Sequence, residues 1–185
     1  MIKRRFAKEG WEAIVPAFMK DGKQYYYLRV NPVEDGDDII ATEAVYDHYP
    51  TQEDNEQLYN KLLAAAIHRK KIEIEEYSRS SAIKTYLLNG VEGWETSEDR
   101  NSISKAASNK AAIGRTTYTL YHGGVGFPAT PSEVVALLAK VEVYASDCYD
   151  VTEQHKRYVE TLLNIQDVME YDHTRGYPEV LSITI

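Results

Sequence analysis

Thr116-Thr117-Tyr118-Thr119-Leu120-Tyr121-His122-Gly123-Gly124-Val125-Gly126-Phe127-Pro128-Ala129-Thr130-Pro131-Ser132-Glu133 carries the clearest folding instructions in the chain. Thr116 to Tyr121 is rich in β-branched and aromatic residues, and His122-Gly123-Gly124 supplies a turn. Thr130 then stands as an N-cap, Pro131 at the first helical position and Glu133 at the third, which completes a capping box. Val134, Leu138, Val141, Ala145 and Cys148 recur at helical spacing and predict a helix with Cys148 on its buried face. Asp150-Val151-Thr152-Glu153 reads as a break and a second helix start, after which Tyr158, Val159, Leu162 and Leu163 point inward. A turn from Asp167 to Tyr171 leads to the closing Gly176-Tyr177-Pro178.

Upstream, a second hairpin and helix follow the same order without sharing sequence. Lys84–Leu88 and Val91–Glu95 flank Asn89-Gly90, a strong hairpin signal because a type I′ turn needs positive φ at both central residues. Thr96-Ser97-Glu98-Asp99 starts a helix that runs to Ile113, with Gly114 as its C-cap. Before it, Thr51 opens a helix whose stripe is Tyr59, Leu63, Ile67, Lys70, Ile74 and Tyr77, with Lys70 as the interruption; Ser78 to Ser81 ends it. That stripe reads as a helix lying on a core, with a short coiled-coil seam as the other reading.

Residues 11 to 50 read as strands. Trp11–Met19 and Lys23–Val30 flank Asp21-Gly22, and Ile39–Tyr46 makes a third strand after breaks at Asn31-Pro32 and Glu34–Asp38. Pro16 restricts the first strand to an edge or a bend. Strand and helix runs are segregated without regular βαβ alternation, so the expected class is α+β. The expected organisation is an N-terminal antiparallel β module over 1–50, a connecting helix over 51–77, and a C-terminal module of β-hairpins packed with helices over 78–185.

The chain has 185 residues, 43% of them hydrophobic, and a net charge of −8, so it can build a core but has no global basic field for nucleic acid. The short basic runs Ile2–Arg5 and His68–Lys71 read as solvated faces. Basic residues at the N-terminus lack a following apolar segment, so no signal peptide is expected, and no apolar run is long enough to cross a bilayer. A single cysteine, Cys148, excludes an intramolecular disulfide. These features fit a protein made in a reducing cytoplasm.

Residues with chemical potential lack the context that chemistry needs. Gly123-Gly124-Val125-Gly126 has no Gly-Lys-Ser/Thr ending, and Phe127-Pro128 follows where a helix should open, so a hairpin turn is the better reading than a phosphate loop. His48, His68, His122, His155 and His173 form no metal-binding spacing. Cys148 and His155 are seven apart, but Cys148 falls on the core stripe. Asp147, Asp150, Glu153, Asp172 and Glu179 offer carboxylates of unknown separation, and Asp35, Asp37 and Asp38 lack the twelfth-position Glu of a calcium loop. No catalytic, cofactor-binding or metal-ligating residue is assigned, and no cofactor is expected.

Tyrosine is the compositional outlier, with 15 Tyr against 3 Phe. Tyr25, Tyr26 and Tyr27 are consecutive, so a strand must send rings to both faces, and Tyr118 and Tyr121 repeat the situation in the later hairpin. These five are the candidate interaction residues, for a protein partner or for self-association.

From about Lys71 onward the chain resembles an uncharacterised family common in bacteriophages and prophages, whose genes tend to sit near tail-fibre genes. The resemblance is carried by Tyr77-Ser78-x-Ser80-Ser81-Ala82, by Leu88-Asn89-Gly90-Val91-Glu92-x-Trp94, and by the helix ending at Gly114. It continues through the Tyr-rich hairpin, Tyr144-Ala145-x-x-Cys148-Tyr149-x-Val151-Thr152-x-x-His155, and Tyr171-Asp172-x-Thr174-x-Gly176-Tyr177-Pro178. It implies a non-enzymatic, tail-associated role with phage tail or fibre proteins as partners, either as a virion component or as a fibre-assembly accessory. The location it implies is the host cytoplasm during synthesis, with the virion as the final destination of a component. The alternative is a small phage-encoded enzyme or ligand-binding protein acting in the infected cell, for instance against host defence. The closing motif also has a purely physical reading as a fold lock, with Tyr171 and Tyr177 packing, Gly176 turning, and Asp172 and Thr174 bonding local backbone.

Overall fold

The structure is a computed structural model and describes residues 2–185. The chain is α+β and divides into two compact units, one formed by the chain up to Arg69 with Leu162–Glu170, the other by Lys70–Thr161 with Tyr171–Ile185. In chain order the elements are β1 (Ile2–Ala7), β2 (Ile14–Lys20), β3 (Lys23–Asp35), β4 (Asp38–Tyr46), α1 (Gln52–Arg79), β5 (Tyr86–Leu88) and β6 (Val91–Gly93). These are followed by α2 (Ser97–Ala112), β7 (Tyr118–His122), β8 (Val125–Ala129), α3 (Pro131–Thr161), α4 (Ile165–Glu170) and β9 (Ser182–Ile183). The boundary between the units falls inside α1.

The first unit is a four-stranded antiparallel sheet in the order β1-β4-β3-β2. Asp21 and Gly22 take φ of 51° and 75°, the doubly positive geometry that closes the β2–β3 hairpin. The sequence reading placed a break at Asn31-Pro32; instead β3 continues through it. A register shift between Val30 and Val33 absorbs the pair as a bulge, with Asn31 at φ 52°. Pro16 does sit on an edge strand, beside a second irregularity between Pro16 and Met19. β1 had no counterpart in the sequence reading, because Lys3, Arg4 and Arg5 hide any apolar alternation. Its register on β4 is fixed by charge: Arg4 meets Glu43 at 3.2 Å, and Arg5 reaches Asp38 at 3.0 Å and also Asp35.

The two faces of this sheet are built differently. On one, Leu28 and Val30 are buried with Leu58 of α1, bordered by Ile14, Ala44, Tyr46 and Leu62. On the other, Glu43 is buried between Arg4 and Arg29, and the Arg29 guanidinium lies 4.0 Å from the Phe6 ring centroid. A buried carboxylate is tolerable because both its oxygens are paired. From the later chain, α4 contributes the buried Ile165 and Val168 to this unit. The Tyr59 hydroxyl donates to the Leu163 carbonyl at 3.3 Å and accepts from the Ile165 amide at 3.4 Å.

At the start of α1, Thr51 and Asp54 cap the helix reciprocally, the Thr51 amide donating to Asp54 at 2.8 Å and the Asp54 amide to the Thr51 hydroxyl at 3.2 Å. The Thr51 amide, then His48, then the Thr51 hydroxyl hold the Asp54 carboxyl down to about 2. Lys23 and then His48 hold Asp47 down to about 2, while Asp54 and then Asp47 raise His48. The signs follow from linkage. The two depressed carboxylates stabilise the first unit above their ordinary value near 3.8, and that contribution disappears as pH falls toward 2. The raised His48 stabilises fully below its ordinary 6.5, and its contribution disappears at higher pH. In His48→Ala the carboxyl titrations of Asp47 and Asp54, followed by NMR, are expected to move upward toward 3.8; unchanged midpoints would refute the coupling.

The second unit stacks two hairpins against two helices. β5 pairs antiparallel with β6 and parallel with β9, and β7 pairs with β8. The core contains Tyr86, Leu88, Ala107, Leu120, Val134, Leu137, Leu138, Val141 and Ile183. Asn89 and Gly90 adopt φ of 49° and 82°, the turn expected of Asn-Gly. Thr96 and Asp99 form a complete capping box on α2, and Gly114 follows it at φ 74°. Thr130 and Glu133 cap α3 the same way: the Thr130 amide donates to Glu133 at 2.7 Å and the Glu133 amide to the Thr130 hydroxyl at 3.2 Å. Thr130→Ala is expected to cost about 1 kcal/mol in chemical denaturation, and a change below a few tenths would mean the cap is redundant.

The expected break at Asp150–Glu153 is absent, and α3 is one helix of 31 residues. Thr152, read as part of a new cap, faces inward instead; its hydroxyl donates to the Cys148 carbonyl at 2.9 Å, one turn back. The inward path read for Tyr158, Val159, Leu162 and Leu163 holds for Val159, which is fully buried, but Leu163 is 82% exposed and Tyr158 51%. α3 stops at Thr161, so these residues do not share one continuing helical face. Every residue of the α1 stripe is buried or half-buried: Ile74 is fully buried, and Lys70, the interruption, is buried too and pairs with Glu73 at 2.8 Å.

Candidate functional site

The polar centre of the second unit lies where its two hairpins meet. Glu95 follows β6, and His122 ends β7 with 1% exposure. The His122 Nδ1 is 2.8 Å from Glu95 Oε1, and Nε2 is 3.0 Å from the Val91 carbonyl and 3.3 Å from that of Tyr86. Both ring nitrogens therefore have an oxygen within hydrogen-bond distance. The Tyr86 hydroxyl donates to the other Glu95 oxygen at 2.6 Å. Burial and this carboxylate push the Tyr86 phenol far up, which fixes it as a donor. Arg100 closes the set from α2, donating to the Glu95 carbonyl at 2.6 Å and to Glu142 at 2.7 Å.

This arrangement demands glycine at its contact points. A Cβ on Gly93 would lie 2.6 Å from His122, and one on Gly123 would lie 2.3 Å from the Glu92 carbonyl oxygen. The close approach is what excludes water from the His122–Glu95 pair. In the sequence His122 reads as a turn residue and as one of five histidines without metal-binding spacing. Its partner is 27 residues away, and no local spacing marks the pair.

A second constellation holds the C-terminal segment. The Tyr171 hydroxyl lies 2.6 Å from His155 Nδ1, and His155 Nε2 lies 2.9 Å from the Arg175 carbonyl, so Nε2–H donates and Nδ1 accepts. Tyr177 meets Thr152 at 3.0 Å through its hydroxyl, and its ring packs edge-on to Tyr77. Asp172 accepts from both the amide and the hydroxyl of Thr174, and Gly176 turns at φ 85°. His155, Tyr158, Tyr171 and Arg175 border an open hollow of about 350 Å³, whereas Asp172 is not part of its lining. These contacts are those of a lock between helix and terminus.

The five candidate interaction tyrosines occupy different settings. Tyr25 stacks on Phe18 at 4.8 Å, Tyr26 packs edge-on to Tyr49, and the Arg4 guanidinium lies 5.9 Å from the Tyr27 ring. Tyr118 is half-buried beneath Lys110, whose Nζ is 4.3 Å from its ring. Tyr121, on the opposite face of β7, is 70% exposed. Cys148 is buried, and desolvation pushes its thiol up; Tyr144 beside it is pushed up to about 12, chiefly by burial. Burial thus holds this cysteine in its protonated, unreactive form.

The basic runs are used internally in part. Arg4, Arg5, Lys70 and Lys71 all make ion pairs. Among the described residues no group of three or more His, Cys, Asp or Glu is placed to hold a metal ion, and no helix is long and apolar enough to cross a membrane. Compared with known protein families, curated proteins and solved structures, the chain matches none.

Proposed function

We propose that this chain is a non-enzymatic phage or prophage tail-associated protein that acts by binding other proteins, as a virion component or as an accessory of tail-fibre assembly. The observation that carries this reading is the use made of the resemblance motifs. Thr152, His155, Tyr171 and Tyr177 spend their polar atoms on one another and on backbone, so two of the motifs that carry the resemblance serve as a lock. The polar set at the hairpin junction is likewise closed around the buried His122. Exposed rings such as Tyr121 and Tyr149 remain for partners.

The test is mass spectrometry of purified virions, together with affinity capture of the chain from infected cells. Stoichiometric presence in virions identifies a component. Absence from virions with co-purification of a fibre or tail protein identifies an accessory. Absence from virions with no tail or fibre protein co-purifying would refute the proposal. A second reading, a ligand-binding protein acting in the infected cell, draws on one observation, a hollow beside Trp94 in the second unit.

A further inference from the structure

The hollow beside Trp94 has a volume of about 190 Å³. Its apolar lining includes the half-buried Trp94 and Ala145 and the buried Ile83 and Cys148. An engineered cavity of about 150 Å³ suffices for a benzene ring, so this one admits a single six-membered ring with a small substituent.

The mouth is cationic. Arg79, Lys84 and Lys156 border it, against one carboxylate, Glu75. Glu75 is already occupied on both oxygens, by Arg79 at 2.8 Å and by Lys156. Lys156 is shared further with Glu153 at 2.9 Å. Arg79 uses one terminal nitrogen on Glu75, which leaves the rest of its guanidinium fork free, and Lys84 makes no ion pair among the described residues. The border therefore has charged donors in surplus, and its only carboxylate is already paired on both oxygens.

We propose that this hollow binds a small planar organic anion, an aromatic carboxylate, with its ring against Trp94 and its carboxylate at Arg79 and Lys84. The ring gains burial against an apolar floor, and the carboxylate gains charge-assisted hydrogen bonds of the planar kind that guanidinium forks favour. A cationic ligand would meet three positive side chains, and a neutral amide would forgo the charged bonds. The inference deepens the second reading, that of a ligand-binding protein, and is separate from the tail-associated role, so a virion result of either kind leaves it standing.

The experiment is an NMR titration of the full chain, following the Trp94 indole and the Ala145 and Lys156 amides, with benzoate, benzamide and benzylamine as probes. Benzoate is expected to saturate these signals, with the other two binding at least about tenfold more weakly. Lys84→Ala, at an exposed position, is expected to weaken benzoate about five- to tenfold with an unchanged unfolding midpoint. Ala145→Phe is expected to abolish binding by filling the hollow; a native amide spectrum for that variant separates blocking from misfolding. Lack of saturation by about 10 mM benzoate, equal binding of the three probes, or unchanged binding in folded Ala145→Phe would each overturn the proposal.

Discussion

Replacing His122 with alanine is expected to cost the second unit about 3 kcal/mol or more in chemical denaturation. Three losses add. The Glu95 side chain, only 11% exposed, loses the ring nitrogen that faces it at 2.8 Å. The Val91 and Tyr86 carbonyls lose a donor at a site the ring seals from water. A cavity opens beside Tyr86, whose ring centroid lies 4.3 Å from that of His122. Tyr121→Ala, one residue earlier on the exposed face of the same strand, should change stability by less than about 0.5 kcal/mol. Tyr86→Phe should fall between, at about 1–2 kcal/mol, since it removes one charge-assisted hydrogen bond and no volume. A His122→Ala cost under about 1 kcal/mol would mean the junction is not sealed as described.

Gly123→Ala is expected to be worse than Gly124→Ala by several fold, although both glycines have positive φ in the same turn. At Gly124, φ is 81° and a Cβ meets nothing within 4 Å, so only the left-handed strain is added, about 1 kcal/mol. At Gly123, φ is 55° and the Cβ would sit 2.3 Å from the Glu92 carbonyl oxygen and 2.7 Å from a Val91 methyl. A carbonyl fixed in a strand cannot swing away as a flexible side chain can. The two hairpins must separate, which disturbs the His122–Glu95 pair, and a cost above about 3 kcal/mol follows. Melting the two variants side by side settles it: equal losses would show that the turn alone matters and that the hairpins do not depend on close contact. The same contact explains Gly93, whose Cβ would enter the His122 ring.

Both predictions bear on function through the second unit's rigidity. α3 carries Ala145, Cys148, Thr152 and Lys156 of the hollow, while Ile83 and Trp94 come from segments around the first hairpin. Loosening the hairpin junction should therefore reduce probe binding along with stability, whereas Tyr121→Ala should leave both intact.

Local chemistry was legible in the sequence wherever it acts between near neighbours. Asp21-Gly22, Asn89-Gly90 and Gly123-Gly124 specify turns because positive φ is a property of a residue and its immediate geometry. Thr96 with Asp99 and Thr130 with Glu133 specify helix starts because cap and partner lie three residues apart. The α+β class followed from the order of these signals. What the sequence misread was decided by distant partners. Thr152 looks like a helix start until Tyr177, 25 residues later, meets its hydroxyl inside a continuous helix. Asn31-Pro32 looks like a strand end until pairing with β4 resumes beyond the bulge. β1 looks like a charged tail until Glu43, Asp35 and Asp38 neutralise it. His122 gives no sign of its role in sequence, because a buried hydrogen-bonded pair exists only where the fold brings both partners together and removes the water between them. Propensity, capping and turn chemistry are short-range and written in the chain; burial and charge pairing are long-range, and tertiary structure alone assigns them.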